Sequence, residues 1–454
     1  MVLLLLIVAI FGGWVLYKYP EVVVVLFFTL TIADMNFTFG GFPINVRALI
    51  GLAIFARTLV SMKDFKGAAF MHSSVIFIPI FIIYSLLTTE FNDILTFEYV
   101  KTSALSFITT FVAYHYYFAR RTDLLKIAII ISGFICFSDL VFTYIDVGEF
   151  PVERIYQALL GIEAELDETG RRMELINHGF YGCISGMAFV IILNDYLNKD
   201  LWNRYLLALL PVYGLGIVLS TSRSAILSII VIAAFLIIRN SIKERNTGKL
   251  IRTVVIGAGI VIGVLATFAW LSSVFDLKTE FLDYVTLRLV DEPIAVMRKH
   301  LGLNYNAGSL EALDWREEAS NDAFGAYLSL TFVEQLFGIG YWGFVIRDLG
   351  HTNLPPHNGP LTILIEFGLV GLVAYVIFSW SLIRNNLRLN DKFPSMVVAL
   401  LFLYIYCFGQ NHQLVESITY VFLATIAAEN DFLRKKVSSI MLTMRERIAQ
   451  LKPQ

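Results

Sequence analysis

The feature that most constrains this chain is a succession of apolar runs separated by short polar connections. The runs fall at about 2–17, 21–37, 44–61, 71–88, 99–118, 124–145, 178–196, 204–221, 224–238, 252–274, 359–383, 394–410 and 413–430. A helix needs about 20 apolar residues to cross a hydrocarbon core of about 30 Å. Backbone polar groups inside a bilayer must be satisfied within the segment, which leaves the helix as the spanning form here. The expected fold is an all-α polytopic membrane protein of about 12–13 transmembrane helices. Composition agrees: 57% of the 454 residues are hydrophobic and only 16% are charged. That balance excludes a soluble globular enzyme and also disorder, which needs the opposite bias. A net charge of −2 gives no footprint for nucleic acid. Cys136, Cys183 and Cys407 are too few and too scattered for a disulfide framework or a zinc site.

The few charges are sorted. Bases in short loops mark the cytoplasmic side. Lys18 follows the first run, and bases recur in alternate connections: Arg57 and Lys63, Arg120 and Arg121, Lys199 and Arg204, Arg239 to Arg252, and Arg384 to Lys392. This alternation predicts an N-terminus outside and a C-terminus in the cytoplasm. The first run has no basic lead and no small-residue cleavage site, so it reads as a retained span. The chain divides into N-terminal spans (1–145), an acidic outer loop (146–176) and central spans (177–274). A large periplasmic loop (275–357), C-terminal spans (358–430) and a tail (431–454) follow. The tail mixes Arg434, Lys435 and Lys436 with Val437, Ile440 and Met441, the pattern of an amphipathic helix on the inner surface.

Polar groups are costly near a bilayer, so those at the outer rim are the candidates for chemistry. Leu354-Pro355-Pro356-His357-Asn358-Gly359-Pro360 runs straight into a span. The prolines stiffen the approach and place His357 at or just before a helix N-terminus. There the dipole favours a neutral imidazole, a usable general base. The alternative is a histidine that only caps a span. On a continuous helix Gly368 would lie about 20° round from His357, with Gly371 on the same side, giving a glycine-notched packing face. Ser220-Thr221-Ser222-Arg223-Ser224 forms a tight turn between two runs. Ser222 is placed to cap the next helix, and Arg223 with the hydroxyls suits an anion. The alternative is a snorkelling anchor. Arg171 precedes His178 and a span with Gly179, Gly182 and Gly186, and either joins an anion site or pairs with the eight acids of loop 146–176. In the large loop, Arg288, Arg316 and the stretch Phe337-Gly338-Ile339-Gly340-Tyr341-Trp342-Gly343 read as anion-binding candidates and a rigid aromatic turn. That turn suits either sugar stacking or an interfacial belt. Walker, GxSxG and HExxH motifs are lacking, which speaks against nucleotide-driven and metal-dependent chemistry.

Together, Ser222-Arg223, Phe337 to Tyr341, and His357-Asn358 followed by Glu366-Phe367-Gly368 and Gly371 resemble the O-antigen ligase/polymerase superfamily. The spacing from His357 to Gly368 is similar to the H-x10-G pattern of its ligases, and Arg171 to Gly182 to the R-x10-G pattern of its polymerases. Asn177-His178 stands where the family often has Asn-Pro-Asn. The resemblance covers about residues 170–380 and implies a GT-C-like fold with no metal or other cofactor. It implies an undecaprenyl-diphosphate-linked glycan as donor, the lipid bilayer as setting, and a chain-length regulator as a partner of some members. His357 would be the base. Arg223, Arg316, Arg288 and Arg171 would hold the diphosphate, with Ser222, Asn358, Gly368 and His178 in support.

Three functions compete. The first is polymerisation of lipid-linked repeat units, favoured because polymerases are expected to be the more numerous relatives. The second is ligation of finished glycan to a lipid A core or similar acceptor. The third is a flippase or other transporter, which should show charges or broken helices at mid-depth. Glu366 is the main charge at such depth.

Overall fold

The computed structural model describes residues 12–32, 38–39, 42–43, 46–61, 77–88, 93–118, 123–147, 178–200, 204–220, 222–244, 292–303, 311–341, 343–347, 349, 358–390, 392–410 and 416–450. The fold is all-α and that of a polytopic membrane protein. The helices are α1 (Gly12–Lys18), α2 (Pro20–Ile32), α3 (Val46–Ser61), α4 (Phe77–Thr88), α5 (Asp93–Phe118), α6 (Asp123–Val147), α7 (His178–Leu197) and α8 (Leu209–Leu219). They continue with α9 (Arg223–Glu244), α10 (Glu292–His300), α11 (Glu311–Ser329), α12 (Phe332–Phe337), α13 (Gly343–Ile346), α14 (Gly359–Leu389), α15 (Ser395–Cys407) and α16 (Glu416–Gln450). The one ladder among the described residues is a two-residue antiparallel pair, Thr38 opposite Pro43 and Phe39 opposite Phe42.

Among the described residues four helices are long and apolar enough to span a bilayer: Leu124–Val141, Gly179–Leu197, Arg223–Ile242 and Gly359–Leu389. The α1–α2 pair makes a fifth if its bend of 115° is one broken span. Pro20 opens α2, and a proline cannot continue the preceding helix. Shorter apolar helices are Ala48–Val60, Pro79–Thr88, Arg204–Leu219 and Ser395–Cys407. The apolar run at 252–274 lies outside the described residues.

The chain forms two compact units. In the first (1–128, 319–401 and 410–454), α16 packs on α5, α14 and α2, and α14 also packs on α4 and α12. The guanidinium of Arg57 donates to the carbonyls of Leu16 and Tyr17, so Arg57 and Lys18 lie at the same end of their helices. A buried polar knot joins the C-terminal parts of α5 and α14 to the middle of α16. Asn386 Nδ2 donates to Glu429 Oε2 at 3.1 Å, Asn430 Nδ2 to the Leu382 carbonyl at 3.0 Å, and the Tyr114 hydroxyl to Asp431 Oδ2 at 2.9 Å. Lys126, Arg384, Arg388 and Arg434 flank this knot in sequence. Residues 416–450 are one helix, so the last apolar run and the basic tail share an axis.

In the second unit (129–318 and 402–409), α7 packs on α8 and α9. Its spanning window is 78% buried, against 28% for α9, so α7 is the central helix of this unit. Gly186 on α7 makes room for the Phe402 ring, whose nearest atom would stand 2.4 Å from an added Cβ.

Candidate functional site

The Ser220–Arg223 turn joins α8 to α9. Ser222 is the N-cap of α9: its Oγ accepts from the Ala225 N–H at 3.4 Å, and its carbonyl accepts from the Ile226 N–H at 3.0 Å. The Ser222 N–H is received by Ser220 Oγ, which itself donates to the Ile217 carbonyl at 2.7 Å. Ser224 Oγ donates to the Gly409 carbonyl at 3.2 Å. Ser220, Ser222 and Ser224 are buried, and Arg223 at the first helical position is half-buried. The hydroxyls are therefore committed to building the turn.

Gly182 explains why the turn sits where it does. A Cβ there would meet Ser220 Oγ at 2.3 Å and Ser222 Cβ at 2.8 Å. Gly182 and Gly186 thus receive different partners, a serine turn and a phenylalanine ring. His178 is the first residue of α7, one turn before Gly182. Arg171 lies outside the described residues.

The second segment belongs to the first unit. Asn358 is the N-cap of α14: its Oδ1 accepts from the Leu361 N–H at 3.1 Å, and its carbonyl accepts from the Thr362 N–H at 2.9 Å. Pro360 in the first turn loses nothing, since N–H groups there have no helical partner. His357 lies outside the described residues; in the sequence it directly precedes Asn358.

Gly368 overturns the expectation of a continuous notched face. Its φ of 67° and ψ of −178° break α14, so angles counted along one helix from His357 do not apply beyond it. The break frees carbonyls one turn earlier, and other backbone takes them. The Ile339 N–H donates to the Ile365 carbonyl at 3.1 Å, and the Gly340 N–H to the Glu366 carbonyl at 2.9 Å. The Tyr84 hydroxyl on α4 bridges the Phe367 carbonyl, at 3.2 Å, and the Phe337 carbonyl. Gly338 and Gly340 have φ of 80° and 86°, which lets the strand of backbone lie flat against the break. Gly371 is also explained by the break, since its added Cβ would stand 2.4 Å from Phe367 Cβ. Glu366 is buried beside it.

The glycine-aromatic stretch is a rigid turn, as its composition suggests, but it serves docking. Tyr341 and Ile339 are buried, and Ile339 packs with Ala323, Phe344 and Ile365. Tyr341 therefore offers no face for stacking a sugar. Arg316 lies in α11, and Arg288 lies outside the described residues. Among the described residues no group of three or more His, Cys, Asp or Glu side chains is placed to hold a metal.

Residues 206–376 match the family model Wzy_C, described as O-Antigen ligase. Over these residues the chain is similar to the O-antigen ligase family. No curated protein shows a significant match to the chain. The matched range contains the Ser220–Arg223 turn, the docked glycine turn, the Asn358 cap and the break at Gly368. It excludes Arg171, His178 and Gly182. Sequence reasoning did not find Tyr84, a lone tyrosine in an apolar helix with no motif around it. The paired positive-φ glycines 338 and 340 were visible as a turn, but what they dock against was not.

Proposed function

We propose that this protein is an inner-membrane glycosyltransferase of GT-C type that polymerises undecaprenyl-diphosphate-linked repeat units into surface polysaccharide on the outer face of the membrane. The observation that carries the reading is the similarity to the O-antigen ligase family at 206–376, which spans both candidate segments. The N-terminus lies outside and the C-terminus in the cytoplasm. The meeting of Arg57 with the chain just before Lys18, and the bases flanking the polar knot of α5, α14 and α16, support this orientation.

The chemistry follows from the residue types. His357 takes the proton of an acceptor hydroxyl, the oxygen attacks the anomeric carbon, and the bond from that carbon to the diphosphate breaks with inversion. Undecaprenyl diphosphate leaves. Arg223, Arg316, Arg288 and Arg171 are the candidates to neutralise the growing diphosphate charge, a task suited to the planar guanidinium fork. No metal is required in this scheme. A chain-length regulator is a further partner under this reading.

The second reading is a ligase that moves finished glycan to a lipid A core or similar acceptor. It is favoured by one observation: the His357-x10-Gly368 pattern lies inside the matched domain, whereas Arg171-x10-Gly182 straddles residues outside it. A transporter is supported less. The break in α14 is a feature transporters share, but the Ile365 and Glu366 carbonyls are taken by protein N–H groups rather than offered to cargo.

The deciding experiment is the glycan profile of a deletion strain. A single repeat unit on the acceptor lipid supports the polymerase. Long chains stranded on undecaprenyl diphosphate support the ligase, and repeat units accumulating on the cytoplasmic face support a flippase.

A further inference from the structure

The α11–α12 hairpin lies in the long loop before α14 and exposes large apolar side chains. Its level is fixed by backbone. Residues 339 and 340 hydrogen-bond to Ile365 and Glu366 of α14. A hydrocarbon core of about 30 Å takes about 20 helical residues. The apolar run that makes α14 long enough to span begins at Gly359, so the docking point lies within the first two turns of that run, near its N-terminal end.

At that level the hairpin is apolar on both sides. Ala323, Ala326, Tyr327 and Leu330 face inward onto Ile339, Phe344 and Ile365. Phe324 and Leu328 on the opposite side of α11 are exposed, as are Phe332 (73%) and Val333 (64%) on α12. Apart from Ser329 and Thr331 at the turn, which are exposed, the side chains on these two faces are apolar, so one apolar face is covered by protein and a second is not. Residues 323–337 contain a single charge, Glu334, and it is paired with Arg347.

The turn also meets the stricter demand of lipid, that backbone polar groups be satisfied from within. A capping box closes the start of α12: the Glu334 N–H donates to Thr331 Oγ1, and the Thr331 N–H donates to Glu334 Oε2 at 3.0 Å. Gln335 Nε2 donates to the carbonyls of Leu328 and Leu330 at 3.0 and 3.1 Å, closing the end of α11. Just past the break, α14 itself exposes Leu369, Val370 and Val373, so the spanning helix on which the hairpin docks also carries an exposed apolar face.

We propose that the α11–α12 hairpin is seated in the bilayer boundary, with Phe324, Leu328, Phe332 and Val333 among the acyl chains. The occupant of this face is the bilayer itself, and the assignment holds whichever glycan reaction the protein performs.

Site-directed spin labelling tests it. Cys136, Cys183 and Cys407 are buried, so a label reaches an introduced cysteine. Phe332→Cys and Val333→Cys are labelled separately in the full chain, in vesicles of phosphatidylethanolamine and phosphatidylglycerol. Val376→Cys serves as the lipid reference and Asp200→Cys as the water reference. The expected result is that oxygen relaxes the labels at 332 and 333 more than a water-soluble nickel chelate does, with the balance nearer Val376 than Asp200. A water-like balance at both positions overturns the proposal. So does a lipid-like balance that arises only when undecaprenyl phosphate is added, which would make the face a seat for a polyprenyl tail. Exclusion of both reagents also overturns it, since a protein surface would then cover the face.

Discussion

Gly338 and Gly368 stand so close that neither tolerates a side chain. A Cβ on Gly338 would lie 2.6 Å from the Gly368 nitrogen and 2.2 Å from the Glu366 carbonyl oxygen; one on Gly368 would lie 2.5 Å from the Gly338 nitrogen. The atoms in the way are backbone, which cannot rotate aside. Both residues also have positive φ, 80° and 67°. A non-glycine residue in such a region costs on the order of 1–3 kcal/mol before any clash.

Gly368→Ala and Gly338→Ala are therefore each expected to lower the melting temperature of the purified protein and abolish glycan extension or transfer. The double variant should lose less than the sum, because either change alone already separates the same two backbones. Gly325→Ala is the control: nothing lies within 4 Å of its added Cβ, and alanine in a helix gains about 0.5–1 kcal/mol over glycine. Thermal unfolding followed by intrinsic fluorescence checks all four. A Gly368→Ala protein as stable as Gly325→Ala would contradict the docking.

How far this was legible in the sequence differs by residue. The apolar runs, the cap at Ser222 and the proline lead that sets a helix N-terminus at or just after His357 are local signals, and α9 and α14 begin where those signals place them. Gly368 was legible as a special position but not as a break. A glycine followed by Gly371 on an apolar helix has the same pattern whether it admits a neighbouring helix or reverses φ. Only the partner distinguishes the two, and Ile339 and Gly340 lie 29 and 28 residues before Gly368 in sequence. The same holds for Gly182, whose partner Ser220 comes 38 positions later.

Tyr84 holds the break from the other side. Its one hydroxyl proton serves the Phe337 and Phe367 carbonyls, so Tyr84→Phe leaves packing intact and removes the bond. The loss of one such hydrogen bond costs about 0.5–1.5 kcal/mol. The expected result is a small fall in melting temperature that adds little to that of Gly368→Ala when the two are combined. Full additivity would show that Tyr84 and the break are independent.

Ser222→Ala removes a helix cap worth about 1 kcal/mol and should reduce stability by that order, with activity falling only as the turn loosens. Arg223→Lys keeps the charge and the helix position but replaces the fork with a point charge. Under the proposed function it should lower kcat strongly at unchanged melting temperature. Comparing turnover on a lipid-diphosphate donor with thermal stability separates the two. Wild-type turnover with lysine would make Arg223 a membrane anchor.

Glu334 gives a pH signature. Hydrogen bonds from Thr331 and from Arg347 hold its carboxyl at about 2, below the ordinary 4.5. A carboxyl whose folded value is depressed contributes stability above its unfolded value, and that contribution is lost as the pH falls from about 4.5 towards 2. Melting temperature measured across this window should drop more steeply for the wild type than for Glu334→Gln, which has no such proton to take up. Arg347→Met raises the folded value, so the drop should be smaller and end at a higher pH, while its onset near 4.5 stays. Identical profiles for wild type and Glu334→Gln would remove the pair from the stability of the hairpin.

His357 precedes the Asn358 cap, and the cap is made by Asn358 alone, through its Oδ1 and its carbonyl. A histidine needed only to start α14 would be dispensable, since the first turn already has its cap and Pro360. His357→Ala is therefore expected to insert and melt as the wild type does while losing glycan transfer, a loss on the order of the 100- to 10,000-fold that general bases contribute. Asn358→Ala should show the converse, a stability loss of about 1 kcal/mol with transfer retained in proportion to folded protein. Transfer by purified protein on a lipid-diphosphate donor, read with its melting curve, distinguishes the two positions. Full transfer by His357→Ala would end the general-base assignment and leave the histidine a neighbour of the cap.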